Sequence, residues 1–473
     1  MSGLRLGLAY DDVLIVPRRS GIASRREVST RSSFTRRIEV AVPIVSASMD
    51  TVTESAMAIA MAQIGGMGAV HRFMPLEREA AEVARVKRFL NVVVDDPYRI
   101  SPDRTVAEAR AEAARHGVTG LLVTDGAGRL EGILTARDLR AEPDERPVHE
   151  AMTPRERLVT APRGVSLEDA RALMHRHRIE KLPLVEGGRL AGLVTMRDVE
   201  LREEFPDATR DARGRLAVAA AVGVRDDYLA RAEALVAAGV DALVLDIAHG
   251  HADHTIDALR SLKSAWPDVE VVAGNVATAD GVRDLVEAGA DAVKVGIGPG
   301  FVCTTRLVAG AGVPQLTSVL DCAQAATELG LPLVADGGIR RPADLAKAIA
   351  AGGDTAMVGS LFAGTRESPG EVVERGGRRY KVYRGMASRG AAAARPDAES
   401  RADALDQYVP EGVETVIPLK DSVTEIVAQL VGGLRSGMSY VGARDVAEFR
   451  ANAEFIRITA AGIQESKPGE TDS

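Results

Sequence analysis

From about residue 216 the chain alternates short apolar runs with longer amphipathic ones. The apolar runs cover 216–223, 242–250, 269–276, 292–298, 333–338 and 356–360, and each closes on small or polar residues. Between them lie Ala-rich stretches with helical spacing, such as 228–238, 279–288 and 342–351. Continuous apolar runs that alternate with amphipathic helices predict parallel strands buried on both faces. The units are about 20 to 40 residues long, as a (β/α)8 barrel requires. A doubly wound sheet is the competing arrangement. Six similar units in a row, with further strand candidates at Ile44–Ala47 and Gly68–His71, favour an α/β chain built on a (β/α)8 TIM barrel. Asp246, Asn275, Cys303, Asp336 and Ser360 then fall at or just past strand C-termini, where barrel active sites lie.

Residues 96–200 break this pattern and repeat internally. Gly132-Ile-Leu-Thr-Ala-Arg-Asp-Leu is matched by Gly192-Leu-Val-Thr-Met-Arg-Asp-Val, and Thr105-Val-Ala-Glu-Ala by Ser166-Leu-Glu-Asp-Ala. The repeat resembles a tandem pair of CBS modules, which sense adenine nucleotides. That resemblance implies an adenine or guanine nucleotide as ligand, its ribose held by Thr135 and Asp138 and by Thr195 and Asp198. A purely structural insertion is the alternative. Asp96-Pro-Tyr and Glu204-Phe-Pro-Asp read as hinges. The expected organisation is a first barrel part at 1–94, the pair at 95–204 (95–150 and 151–204), and a second barrel part at 205–473.

Composition narrows the classes. Aromatic residues are only 3% against 46% hydrophobic, so the core is aliphatic. The net charge of −8 comes without a basic cluster of the kind that binds nucleic acid. Two cysteines, Cys303 and Cys322, do not make a disulfide framework and point to a reducing compartment. No apolar run approaches the ~20 residues of a membrane span. A cytoplasmic location without membrane partners is expected.

The densest chemistry is Gly296-Ile-Gly-Pro-Gly-Phe-Val-Cys-Thr-Thr-Arg. Glycines let backbone N–H groups approach an anion, and a thiolate is a good nucleophile. A buried structural cysteine beside a turn is the plainer alternative, but the neighbouring glycines and hydroxyls have no packing purpose. With this loop go Tyr10-Asp-Asp-Val-Leu-Ile-Val-Pro, Val45-Ser-Ala-Ser-Met-Asp-Thr-Val-Thr-Glu, Val272-Ala-Gly-Asn-Val, Gly312-Val-Pro-Gln, Ala335-Asp-Gly-Gly-Ile-Arg, Val358-Gly-Ser-Leu-Phe-Ala-Gly-Thr, Tyr383-Arg-Gly-Met-Ala-Ser and Val409-Pro-Glu-Gly-Val-Glu. Together these segments resemble the IMP dehydrogenase/GMP reductase family over essentially the whole chain.

The resemblance implies a barrel interrupted by the CBS pair, assembled as a homotetramer or octamer, that acts on a purine nucleoside monophosphate with NADPH or NAD. Cys303 would attack C2 of the purine, with Thr305 and Glu411 as a proton-moving dyad. Asp336 would take the ribose hydroxyls, and Gly337, Gly338, Gly359, Ser360 and Tyr383 the phosphate end. Met49, Gly385 and Met386 complete the nucleotide side, with Met386 at the base edge. Asp246, Asn275 and Gly296 match positions near the nicotinamide. The dehydrogenase side further implies K+ held by loop carbonyls at Gly298, Gly300 and Cys303.

The two branches run opposite chemistry, and local features divide. The dehydrogenase hydrolyses a covalent XMP intermediate with an Arg-Tyr pair on a mobile flap. Here the flap, about 389–410, has no such dipeptide: Arg401 precedes Ala402, and Tyr408 lies seven residues on. Gly385-Met-Ala-Ser-Arg is similar to the reductase form. Arg72 stands where both branches usually carry Lys, and Phe301 where a phosphate-binding Ser is usual. The N-terminal third, the CBS pair and the tail from Ile456 resemble bacterial dehydrogenase. The expected activity is reduction of GMP, or of a GMP-like nucleotide such as a deazaguanine nucleotide, to IMP with release of ammonia. Oxidation of IMP to XMP is the alternative, and a catalytically silent CBS regulatory protein a second.

Overall fold

The computed structural model describes residues 3–89, 94, 97–225, 227–394 and 409–466, apart from the side chains of Asp198 and Leu201. The chain divides into two compact units, Met1–Phe89 with Asp207–Ser473, and Leu90–Pro206.

The first unit is built on eight parallel strands closed into a barrel. In chain order they are β1 (Ile44–Ser46), β2 (Met67–Val70), β3 (Ala219–Val222), β4 (Ala242–Asp246), β5 (Glu270–Val276), β6 (Ala292–Val295), β7 (Leu333–Asp336) and β8 (Thr355–Val358). Closure comes from β2 on β3, where Ala69 faces Ala219, and from β8 on β1, where Met357 faces Val45. A helix follows each strand: α1 (Ser55–Gln63), α2 (Leu76–Arg88), α3 (Tyr228–Ala238), α4 (Asp253–Ala265), α5 (Ala279–Glu287), α6 (Gln315–Glu328), α7 (Pro342–Ala350) and α8 (Val423–Tyr440). This is the expected TIM barrel.

The strands are shorter than the apolar runs that signalled them. Leu216 and Ala217 bond instead to the incoming segment, with the Ala217 N–H donating to Thr209 at 2.9 Å. Inside the barrel, side chains stack in layers. Val45, Met67, Ala69, Ala219, Val244, Val272, Ala292, Val334 and Met357 form one apolar cluster. Phe34, fully buried, joins that cluster beside residues at the strand starts and plugs the N-terminal mouth. It comes from a small hairpin that Glu270 pins at Thr35 and at the Arg37 backbone, 2.9 Å away. At the opposite end the filling turns polar: Ser46, Ser48, Asp246, Asn275, Lys294 and Asp336 occupy the strand ends.

An antiparallel sheet outside the barrel, β9 (Val372–Arg375), β10 (Arg378–Arg384) and β11 (Glu414–Pro418), was not anticipated. Its turn is Gly376-Gly377, both with positive φ (57° and 72°), the backbone that a two-residue hairpin with matched twist demands. Alternating residues around Gly-Gly were the available signal.

The second unit carries the repeat as two similar modules. One has helix Val106–His116 with strands Gly120–Thr124 and Leu130–Thr135; the other has helix Leu167–His177 with strands Lys181–Glu186 and Arg189–Thr195. Each has its own apolar core.

Among the described residues, no helix is long and apolar enough to cross a membrane. Packing of α7 on α8 relies on a missing side chain: a Cβ on Gly433 would stand 2.2 Å from Cβ of Pro342, a rigid ring. Gly433→Ala is expected to cost about 1–3 kcal/mol of stability by overpacking, read as a lower denaturation midpoint at unchanged slope.

Candidate active site

A cleft of about 450 Å³ opens at the C-terminal ends of the strands. It gathers most of the expected residues: Cys303, Thr305 and Glu411; Met49, Asp336, Gly337, Tyr383, Gly385 and Met386; Asp246, Asn275 and Gly296. Gly298 and Gly300 line it too.

Gly338, Gly359 and Ser360 lie outside the lining. Gly359 abuts it, since a Cβ there would approach Met49 Sδ at 3.0 Å and the Tyr383 hydroxyl at 3.2 Å. Gly338 backs onto the Tyr10 ring. The Ser360 carbonyl accepts from Lys420 Nζ at 3.3 Å.

The nucleophile loop follows β6. Cys303 is half-buried, and its Sγ lies 3.2 Å from Thr305 Oγ1. Glu411 is placed by main-chain bonds on both sides. Its N–H donates to the Ala387 carbonyl at 3.0 Å, and its carbonyl accepts the Thr304 N–H at 2.8 Å. Two further backbone bonds, Val413 N–H to Val302 at 2.9 Å and Gly385 N–H to Val413 at 3.1 Å, bind the nucleophile loop, the Glu411 segment and the Gly385 turn together.

The outer sheet delivers Tyr383 and Glu411 to this place. β10 is anchored to the segment after β1 by Arg384, whose Nε donates to Asp50 at 2.7 Å. Tyr383 is 2% exposed, with its hydroxyl 3.8 Å from Met49 Sδ. Burial, then the charge of Asp336, pushes its phenol well above the usual range, so it stays a neutral donor. Met386 Sδ accepts the Asp50 N–H at 3.4 Å.

In the cleft floor lies a residue that the sequence did not single out. Lys294, 2% exposed, points into the barrel from β6. Its ammonium donates to Asp246 at 2.9 Å, to Asp336 at 2.6 Å and to the Asn275 side-chain carbonyl. Asn275 in turn donates to the Gly296 carbonyl at 2.7 Å and to Asp336 at 2.9 Å, and Ser48 donates to Asp246 at 2.8 Å. Burial pushes the Asp246 carboxyl up, but Lys294 and the Ser48 hydrogen bond more than offset this and hold it below the ordinary range. Burial disfavours the Lys294 ammonium, and the two carboxylates overcome that and raise its pKa. The signal was one lysine in an otherwise apolar strand, Ala292-Val-Lys-Val, since a charge in a doubly buried strand needs a partner. Gln315 was also missed: it donates to the carbonyls of Val295 at 2.9 Å and Asp336 at 3.0 Å and ties β6 to β7.

Arg72 lines the cleft beside Phe73, its guanidinium 5.0 Å from that ring's centre. Phe301 is 64% exposed and stacks on Tyr383, with ring centres 6.5 Å apart. The loop expected to hold K+ fits such an ion poorly. Gly300 already accepts the Cys303 N–H at 3.1 Å, and the Arg306 guanidinium donates to the carbonyls of Ile297 at 3.3 Å and Val313 at 2.5 Å. A permanent cation therefore sits in the loop, and no step below is routed through a metal.

In the second unit, Thr135 and Asp138 bond each other at 2.7 Å and cap the helix Ala136–Ala141. Thr195 ends its strand, and the Asp198 side chain lies outside the described residues, as do flap residues Arg401 and Tyr408.

A thiol, a carboxylic acid and a polar floor gathered in a cleft at the mouth of a TIM barrel have the composition of an enzyme active site. Residues 7–469 match the model of the IMP dehydrogenase / GMP reductase domain. The chain belongs to the IMP dehydrogenase/GMP reductase family, whose members are NAD(P)-dependent oxidoreductases. It is 48% identical to inosine-5'-monophosphate dehydrogenase of Nitrosopumilus maritimus over 467 residues, 98% of each chain. Identity to the enzyme of that name from Aquifex aeolicus is also 48%, over 98% of this chain and 95% of the other. Among solved structures, a cysteine-to-alanine variant of Trypanosoma brucei GMP reductase in complex with guanosine 5'-monophosphate superposes with a TM-score of 0.92. It is 43% identical, and 99% of each chain is covered. The same enzyme with guanosine 5'-triphosphate gives 0.82 at 40% identity, over 97% of this chain and 99% of that one.

Gly296 has φ +150°, and a Cβ there would stand 2.2 Å from the Asp336 carbonyl oxygen, a backbone atom that cannot step aside. Gly296→Ala is expected to lower kcat/KM at least about tenfold by shifting the end of β7, measured in whichever nicotinamide assay the parent supports.

Proposed function

We propose that this protein is a GMP reductase, converting GMP and NADPH to IMP, NADP and ammonia. One observation carries the choice. The segment after the Gly385 turn lacks the Arg-Tyr pair on which hydrolysis depends, while Glu411 is held firmly against the nucleophile loop. The Thr305–Glu411 dyad is common to both branches and can serve water or ammonia, so the missing Arg-Tyr pair, which would leave water activation slow, is what favours deamination.

In this reading the Cys303 thiolate adds to C2 of the guanine. The exocyclic amine leaves as ammonia, taking its proton from Glu411 through Thr305. The nicotinamide, when bound, supplies the hydride that replaces the amine at C2. Expulsion of the thiolate then restores the ring and frees Cys303. Asp336 accepts hydrogen bonds from the ribose hydroxyls. The backbone N–H groups of Gly337, Gly338, Gly359 and Ser360, with the neutral Tyr383 hydroxyl, receive the phosphate. Asp246, Asn275 and Gly296 orient the nicotinamide half. Arg72 remains protonated and cannot deliver the proton itself, which leaves that task to Glu411. In the second unit, Thr135, Asp138, Thr195 and Asp198 are the groups that would hold a regulatory nucleotide. Assembly is as a tetramer or octamer.

IMP oxidation is the second reading, favoured by the 48% identity to two proteins of that name. Mixing the protein with GMP and NADPH is expected to consume reduced nicotinamide and release ammonia in equal amounts. Cys303→Ala should lower kcat by at least about three orders of magnitude while GMP still binds. Production of NADH from IMP and NAD, with GMP inert, would overturn the reductase reading.

A further inference from the structure

Asp336 and Asp246 belong to opposite halves of the cleft, yet both end on one buried cation. Lys294 reaches them from the strand between, with 2% of its side chain exposed, while theirs are 22% and 26% exposed and face the cleft. Each carboxylate thus has a dry side against the ammonium and a wet side toward a ligand. We propose that Lys294 is a positioning residue that aims both carboxylates into the cleft, so that nucleotide and nicotinamide binding depend on one shared charge. The inference rests on the reading that Asp336 meets the ribose and Asp246 the nicotinamide half.

The physical argument is one of compensation. A carboxylate out of water is costly unless paired, and two close together repel as well. One ammonium between them removes both penalties. Asn275 locks the arrangement, accepting from Lys294 while donating to Asp336. The other charged or titratable groups that act on these carboxylates are Arg72, whose charge favours ionised Asp246, and Tyr383 and Tyr10, both neutral and both affected by Asp336. Lys294 differs from Arg72 in that its ammonium donates a hydrogen bond to each of the two acids, at 2.9 Å to Asp246 and 2.6 Å to Asp336.

The sign of the pH effect follows. In the parent, Asp246 is held below the ordinary carboxylate range, so ligand contacts through it are complete above that range and are lost only in strong acid. Without Lys294 the largest opposition to burial is gone, only the Ser48 hydrogen bond and the Arg72 charge remain to offset it, and Asp246 takes up a proton at higher pH. Nicotinamide binding should then fall as the pH drops through mildly acidic values at which the parent is unaffected.

The test is calorimetric titration of GMP, and separately of NADPH, into the parent, Lys294→Met and Lys294→Arg across mildly acidic to neutral pH. Lys294→Met is expected to weaken both ligands about tenfold or more and to give NADPH binding the new acid limb. Lys294→Arg, which keeps the charge, should restore the pH-independence even where its bulk costs affinity. Asp336→Asn should weaken GMP alone, and Asp246→Asn NADPH alone.

Parental affinities and a flat pH profile in Lys294→Met, with only its unfolding midpoint lowered, would reduce Lys294 to a structural residue and overturn the proposal. If Lys294→Met does not fold, its combination with Asp246→Asn removes the uncompensated charge. That double variant should still bind GMP weakly, and parental GMP affinity there sinks the idea equally. A parent that binds neither GMP nor NADPH counts against the proposed reaction. A parent that binds and turns over both, beside an unaltered Lys294→Met, counts against this inference alone.

Discussion

A single ammonium in the dry end of the barrel is the constraint on which the rest of the site depends. Parallel strands packed on both faces leave no route for water to the centre. The apolar layers below exploit that dryness, and Phe34 closes the N-terminal mouth. At the other end the polar groups needed for nucleotide chemistry must sit on the same strands. Lys294 reconciles the two demands: without it, Asp246 and Asp336 would be neighbouring half-buried acids helped only by the Ser48 and Asn275 hydrogen bonds and the Arg72 charge. The polar floor is thus part of the barrel itself, and the cleft inherits its charge pattern from a lysine that is almost wholly buried.

The upper wall of the cleft has a different origin. It comes from an antiparallel sheet outside the barrel, held to the barrel rim through Arg384 and Asp50. Pairing in that sheet sets Tyr383 opposite Thr415, and a slip of one residue would turn Tyr383 to the other face. The Gly376-Gly377 turn fixes the β9–β10 pairing. A conformational preference at the far end of the hairpin therefore steadies the strand that brings the Tyr383 phenol to the cleft.

Much of this was legible in the sequence, and the reasons differ from one element to the next. The barrel was legible because doubly buried strands read as unbroken apolar runs, and α3 falls on the expected 228–238. Strand ends were less legible: the run at 216–223 carries two residues that pair outside the barrel. Glu411 was legible only through the family resemblance, whereas Cys303 and Asp336 stood out because polar side chains cluster with glycines at strand ends. Lys294 did not, because a lysine in an apolar run looks like an interruption until its partners from β4 and β7 are in place. The outer sheet does not share the barrel's period, and its Gly-Gly turn is the one strong local signal of it. The branch of the family is the hardest to read: relatives with one name and structures with the other resemble the chain almost equally, because both share the scaffold and differ in a few side chains.

The anchoring of Glu411 shows why so few side chains suffice. Its N–H and its carbonyl are both taken by neighbouring main chain, so the acid's location is independent of which side chains stand at Ala387 or Thr304. Substitution around it can retune the reaction without displacing the acid to which the proposed mechanism gives the proton. A scaffold that fixes its acid through the peptide backbone leaves the surrounding sequence free to drift between opposite chemistries, and a lineage can cross from one to the other without passing through a disordered site.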